Sequence, residues 1–107
     1  MQAQTTRALS PASQTRFQQL AAARLAEVLA RGAEHALPAI PWTVTAVGCG
    51  LRADITPAAA DPRGTHRAWV QALGLTPRRT MPGCLAASAR MDGVQVTITT
   101  ALTKESA

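Results

Sequence analysis

The sequence predicts a single α+β domain in which two helices cover one face of a four-stranded antiparallel sheet. Two stretches of alternating hydrophobicity each contain a turn signal, which is typical of β-hairpins. Two further segments open with a proline and repeat apolar residues at helical spacing. The elements follow one another as helix, hairpin, helix, hairpin (αββαββ). At 107 residues the chain is long enough for one domain with a buried core.

The first helix begins at Ser10-Pro11, because serine caps free N–H groups and proline suits the first helical position. It is predicted to run to about Glu34 and to end before Leu37-Pro38, where proline forces an extended passage. An apolar stripe defines its buried side and consists of Phe17, Ala21, Leu25, Val28 and Gly32.

The first hairpin is predicted within residues 42–56, where the apolar residues change from even to odd positions. A type II′ turn at Gly48-Cys49 explains this change, since it brings both sets to one face. A single bent strand with a bulge at the glycines is the alternative. The hairpin pairs Trp42 with Ile55, Val44 with Ala53 and Ala46 with Leu51.

The second helix is predicted from Asp61-Pro62 to Leu73, and Gly74 suits the left-handed position that follows a helix. Its apolar stripe contains His66, Trp69, Val70 and Leu73. The segment Thr76–Gly83 is predicted to be a loop. Residues 1–9 and 104–107 are predicted to be polar tails on either side of a domain that spans 10–103.

The C-terminal hairpin is the clearest element. It consists of two strands, Gly83–Met91 and Val94–Leu102, joined by Asp92-Gly93, a dipeptide that suits a two-residue type I′ turn. This turn fixes the register, which gives the hairpin one apolar and one polar face. The apolar face pairs Met91 with Val94, Ala89 with Val96, Ala87 with Ile98 and Leu85 with Thr100.

Moving the last strand to the front of the chain converts this order into β-α-β-β-α-β. The predicted architecture therefore resembles a circularly permuted ferredoxin-like arrangement. In that arrangement Leu51–Ile55 and Val94–Leu102 form the central, antiparallel pair of the sheet. The resemblance concerns architecture alone, and such a fold supports many unrelated functions.

The basic charge suggests a polyanionic partner. The net charge is +5 and the chain has ten arginines against one lysine, Lys104. Arginines contact phosphates well, although a solvated basic surface or the composition of a GC-rich genome explains the same bias. The predicted polyanion- or partner-binding residues form two clusters, Arg78 and Arg79 with Arg63 and Arg67, and Arg16, Arg24 and Arg31 on the first helix.

The polar face of the predicted sheet is a second candidate contact surface. Helices cover only the other face, so a second copy of the chain could pack there and form a homodimer. A hydrated monomer face is the alternative, as is edge-to-edge pairing through the first strand. The face offers no aromatic platform for bases. Its predicted contact residues are Thr43, Thr45, Arg52, Arg90, Thr97 and Thr99.

The residues that could carry chemistry are few, and we expect no metal and no cofactor. Cys49 and Cys84 are too few for a disulfide framework, and no pair of histidines or cysteines has metal-ligand spacing. His35 follows the first helix and is expected to interact with its last carbonyls. His66 is more typical of packing at a helix edge than of a general base.

These observations favour a small, basic, non-enzymatic binding or adaptor domain that self-associates and contacts a protein or a nucleic acid through arginines. The alternative is a ligand-binding or catalytic domain with a cleft near His66 and Cys49. No signal-peptide pattern precedes Pro11, and no window is apolar enough to span a membrane. We therefore expect a cytoplasmic protein without a membrane partner.

Overall fold

The computed structural model describes residues 10–45 and 50–102. They form two helices and five strands. The five strands make one mixed sheet of order β1-β2-β5-β4-β3, so the α+β class is confirmed. The prediction of a four-stranded, fully antiparallel sheet is wrong. In chain order the elements are α1 (Pro11–Glu34), β1 (Trp42–Val44), β2 (Gly50–Ile55), α2 (Pro62–Leu73), β3 (Thr76–Arg78), β4 (Cys84–Met91) and β5 (Val94–Ala101).

The central strands β2 and β5 are neighbours, as predicted, but they run parallel. The cause is β3, a three-residue strand that lies within the predicted loop Thr76–Gly83. Because β3 pairs antiparallel with β4, it adds one reversal of direction before the C-terminal hairpin enters the sheet. That reversal inverts both strands of the hairpin. The all-antiparallel, ferredoxin-like permutation is therefore not what the chain adopts.

The C-terminal hairpin has the predicted register. Met91 pairs with Val94 and Leu85 with Thr100, and the intervening pairs follow in step. Asp92 and Gly93 have φ angles of 51° and 82°, which are the left-handed values that a type I′ turn requires. Along β5, buried and half-buried residues alternate, so one face packs into the core and the other does not.

The first hairpin forms with a register two residues away from the predicted one. Trp42 pairs with Ala53 and Val44 with Leu51, so the predicted pairs of Trp42 with Ile55 and Val44 with Ala53 are wrong. An even shift keeps every side chain on its predicted face. The proposed turn at Gly48-Cys49 and the partner of Ala46 lie outside the described residues.

Both helices begin with the predicted caps, and α2 also ends with the predicted one. The Ser10 hydroxyl accepts from the Ser13 N–H at 3.1 Å, and the Asp61 carboxylate accepts from the Gly64 N–H at 3.1 Å. Gly74 adopts φ 69° after α2, and the N–H of Leu75 reaches back to the Val70 carbonyl at 3.0 Å. The cap and proline signals therefore located both helices.

The core lies between the helices and one face of the sheet. Leu51, Val96 and Ile98 are fully buried on the sheet side, and α1 meets the Trp69 ring of α2 at Gly32. The Trp69 ring stands edge to face with Trp42, with ring centroids 5.7 Å apart, and its Nε1 donates to the Pro38 carbonyl at 2.8 Å. Gly32 is required where it stands, because a Cβ there would overlap the Trp69 ring.

The strands β1 and β3 are the two edges of the sheet. Pro77, the middle residue of β3, pairs with Ala87 of β4. Proline has no N–H, so the hydrogen bonds to β4 come from its neighbours and its nitrogen faces outward. No helix in the described part of the chain is long and apolar enough to cross a membrane.

Candidate anion-binding groove

A groove of about 290 Å³ lies between helix α2 and the edge formed by β3 and β4. Arg63, Arg67 and Arg78 contribute to its lining, and the half-buried Val70 and Leu85 provide apolar surface. The structure thus brings three of the four arginines of the first predicted cluster to one concave site. Arg79, the fourth, is exposed and follows Arg78 beyond the end of β3, outside the lining of the groove.

Arg63 and Arg67 are placed by helical geometry. They are four residues apart on α2, so their Cβ atoms are about 5–6 Å apart on one face of the helix. Both are exposed, and neither makes an ion pair with any residue in 10–45 or 50–102. Their guanidinium groups therefore remain available to a ligand.

Arg78 is positioned from the sheet. Its Nε donates to the Ser88 hydroxyl at 2.8 Å, and the register of β3 on β4 puts both residues on the face of the sheet away from the helices. Within the described chain, the terminal amino groups of Arg78 have no hydrogen-bond partner. Arg78 therefore stands at the edge where the groove meets the open face of the sheet.

The arginines of helix α1 are placed differently. Arg24 contacts the carboxylates of Glu27 and Asp92, and its side chain is only 17% exposed. The Asp92 contact ties the middle of α1 to the turn between β4 and β5. Arg31 donates to the Ala72 carbonyl at 2.9 Å, near the end of α2. Only Arg16 of this second predicted cluster is exposed without such a contact among the described residues.

His66 lines the groove but is buried, with only 8% of its surface exposed. Its Nδ1 lies at hydrogen-bond distance, 2.7 Å, from the Thr100 hydroxyl of β5. Burial lowers the pKa of His66 below its ordinary value of 6.5, because the cation loses solvation there. The ring is therefore neutral at neutral pH and serves as part of the wall.

Neither Cys84 nor His35 shares the lining of the groove with His66. Cys49 lies outside the described residues, and Cys84 is half-buried at the start of β4. His35 caps α1, with its Nδ1 at 3.0 Å from the Arg31 carbonyl. The described residues contain no group of three or more His, Cys, Asp or Glu side chains that could hold a metal ion.

The face of the sheet away from the helices carries the six residues predicted as sheet-face contacts. No described helix covers it. Arg52 donates from Nε to Asp54 at 3.1 Å, and the Thr99 hydroxyl donates to the same carboxylate. Thr45 donates to the Gly50 carbonyl at 3.3 Å. The remaining three residues of that set are Thr43, Thr97 and Arg90, of which Thr97 is half-buried and the other two are exposed.

A larger cavity, of about 640 Å³, was not anticipated from the sequence. It lies between residues 36–41, which connect α1 to β1, the end of β2, and the start of α2. Its lining is mostly alanine, proline and isoleucine from irregular segments. Such residues carry no periodic pattern, and the prolines that interrupt the elements are the only sequence signal near it.

Comparison of the chain with protein-family models, with curated proteins and with solved structures gave no significant match.

Proposed function

We propose that this chain is a small binding domain that holds a polyanionic partner through the arginines of the α2 groove. The role is one of contact rather than catalysis. The observation that carries it is that Arg63, Arg67 and Arg78 line one groove and make no ion pair with the described residues.

Charge complementarity supports an anionic ligand. No carboxylate of the described residues lines the groove, and its only other titratable side chain is the neutral His66. Arginine is always protonated and offers a planar fork of donors that matches phosphate and carboxylate oxygens. Arg63 and Arg67 present two such groups from one face of α2, and Arg78 lies at the adjoining edge of the groove, which favours an anion with more than one charge.

The first test measures binding of inorganic polyphosphate and of a single-stranded oligonucleotide over a range of salt concentrations. The unmodified chain is expected to bind both and to lose affinity steeply as salt increases. Arg63→Ala with Arg67→Ala should weaken binding at least about tenfold, since each lost charged hydrogen bond contributes about 1.5 kcal/mol or more. The slope of log K against log salt should fall by about 0.7 per arginine removed.

The matched control replaces two exposed arginines elsewhere, Arg16→Ala with Arg90→Ala. This variant has the same net charge as the groove variant, so a diffuse charge effect would weaken binding equally in both. Equal weakening, or no binding by the unmodified chain, contradicts the proposal.

The open sheet face supports a second proposal, that the chain self-associates as a homodimer across it. The centre of this face consists of small side chains on adjacent strands, such as the half-buried Ala86 and Thr97, and no described helix covers them. Ser88 lies beside them under the side chain of Arg78. Light scattering after gel filtration should give twice the chain mass. Thr97→Arg should give a single chain, whereas Thr15→Arg, the same change at an exposed position of helix α1, should not. A single-chain mass for the unmodified protein at high concentration contradicts the proposal.

A further inference from the structure

We infer that the α2 groove takes one base of an unpaired nucleic-acid strand, with the neighbouring phosphates held by its arginines. This inference rests on the polyanion-binding function proposed above and names the class of polyanion. It depends on the apolar surface of the groove, for which binding of a purely charged ligand gives no role.

The groove is apolar between its arginines. Val70 and Leu85 are half-buried there and Ala87 is almost completely buried. A ligand that consists only of charged groups would leave this surface in contact with water. A ligand that alternates an oxyanion with a compact hydrophobic ring covers the apolar surface and reaches the arginines together.

The kind of cation favours a base over an apolar amino-acid side chain. The two cations that α2 presents to the groove, Arg63 and Arg67, are arginines, and so is Arg78 at its edge. A guanidinium plane binds a phosphate by its fork and also stacks on an aromatic ring. An acidic peptide with apolar residues uses the first property, and a nucleic-acid strand uses both.

The size of the groove favours an unpaired strand. At about 290 Å³ it lies at the lower end of the range for ligand pockets, which suits one ring system. A base in a duplex is paired and stacked, and it must leave the stack before it can enter a concave site. Single strands present their bases without that cost.

The deciding experiment compares two strands with the same number of phosphates, one carrying bases and one abasic throughout. Fluorescence anisotropy with the unmodified chain, at one salt concentration, gives both affinities. The base-bearing strand is expected to bind about fivefold more tightly or better, as one stacked base contributes that much. An acidic peptide with alternating leucine and aspartate, matched in charge, is the third probe.

The outcomes separate the inference from the function on which it rests. Equal affinity for the two strands overturns the inference and leaves polyanion binding in place. No binding of either strand overturns both. Tighter binding of the acidic peptide overturns the inference in favour of a protein partner.

A variant locates the base. Val70→Met fills the apolar surface without adding an aromatic ring on which a base can stack, and it leaves the arginines unchanged, so it should abolish the preference for the base-bearing strand without weakening the abasic one. Leu20→Met, at an exposed position of α1, is the control and should keep the preference. A preference that persists in a folded Val70→Met chain overturns the assignment of the base to this groove. If that variant does not fold, the comparison of the two strands on the unmodified chain decides alone.

Discussion

Helices α1 and α2 both carry arginines, and the two sets differ in what their guanidinium groups contact. On α1, Arg24 contacts Asp92 in the β4–β5 turn, and Arg31 donates to a carbonyl near the end of α2. On α2, Arg63 and Arg67 have no such partners among the described residues. The first set ties elements of the fold together, and the second faces a groove.

The difference shows that a count of basic residues does not locate a binding surface. A helix that packs across other elements meets their carbonyls and carboxylates, and its arginines form hydrogen bonds and ion pairs with those groups. A helix whose arginines face a concave edge keeps them free. The comparison predicts that changes on α1 affect the free energy of unfolding, whereas changes to the arginines of α2 affect binding.

The largest effect on stability is expected from Gly32→Ala, where α1 meets α2. The added Cβ overlaps the Trp69 ring, which is 3% exposed and has no room to move aside. Overpacking of this kind costs about 1–3 kcal/mol of unfolding free energy, despite the better helix propensity of alanine. Urea denaturation measures the change. Unchanged or increased stability would show that the two helices do not approach as described.

Arg24→Ala is expected to lower the unfolding free energy by about 0.5–1 kcal/mol, because the turn carboxylate Asp92 loses its partner. The loss stays moderate since the carboxylates of Asp92 and Glu27 are themselves largely exposed. Arg16→Ala is the control on the same helix and should change stability by less than about 0.5 kcal/mol. Similar losses of unfolding free energy in the two variants would show that the contacts of Arg24 do not stabilise the fold.

His66 on α2 is expected to make stability depend on pH. Its pKa in the folded chain lies below the ordinary 6.5. Between these two values the unfolded chain binds more protons, so the free energy of unfolding falls as the pH is lowered through about 6.5. Denaturation curves at several pH values should show this decline. It should be weaker in His66→Gln, and a decline in that variant as large as in the unmodified chain would contradict the assignment.

The smallest effect on stability is expected from Arg63→Ala with Arg67→Ala. Neither side chain has an ionic partner in residues 10–45 or 50–102, so the unfolding free energy should change by about 0.5 kcal/mol or less. Thermal and urea denaturation measure it beside the Arg24→Ala variant. A loss as large as that of Arg24→Ala would mean that α2 arginines also hold the fold, and the contrast between the helices would disappear.

Local signals in the sequence were enough to predict both helices, the two hairpins and the buried face of each. Ser10-Pro11, Asp61-Pro62 and Gly74 marked helix ends, and Asp92-Gly93 fixed a register that the structure confirms. The sheet topology depended on β3, whose central proline is disfavoured in strands and made the segment resemble a loop. Missing one short strand reversed the predicted direction of the whole C-terminal hairpin.

The candidate site was also predictable only in part, because residues close in the chain can be placed together from the sequence and distant ones cannot. Arg63 and Arg67 share a helix face by their spacing, and Arg78 follows that helix closely in the chain, so their proximity was within reach of the sequence. The contact of Arg24 with Asp92 could not be predicted from the sequence, because the two residues are distant in the chain and meet only in the folded molecule. The large cavity is built by connecting segments, whose shape no residue pattern encodes.

The proline in the middle of β3 limits how copies of this sheet can join. Strand addition needs donors along the outer side of an edge, and Pro77 leaves that position without one. Two chains that join edge to edge would therefore do so through β1 of each. The joined sheet of two chains would have β3, with its proline, at both edges. No third chain could add to it, so a fibre would not grow.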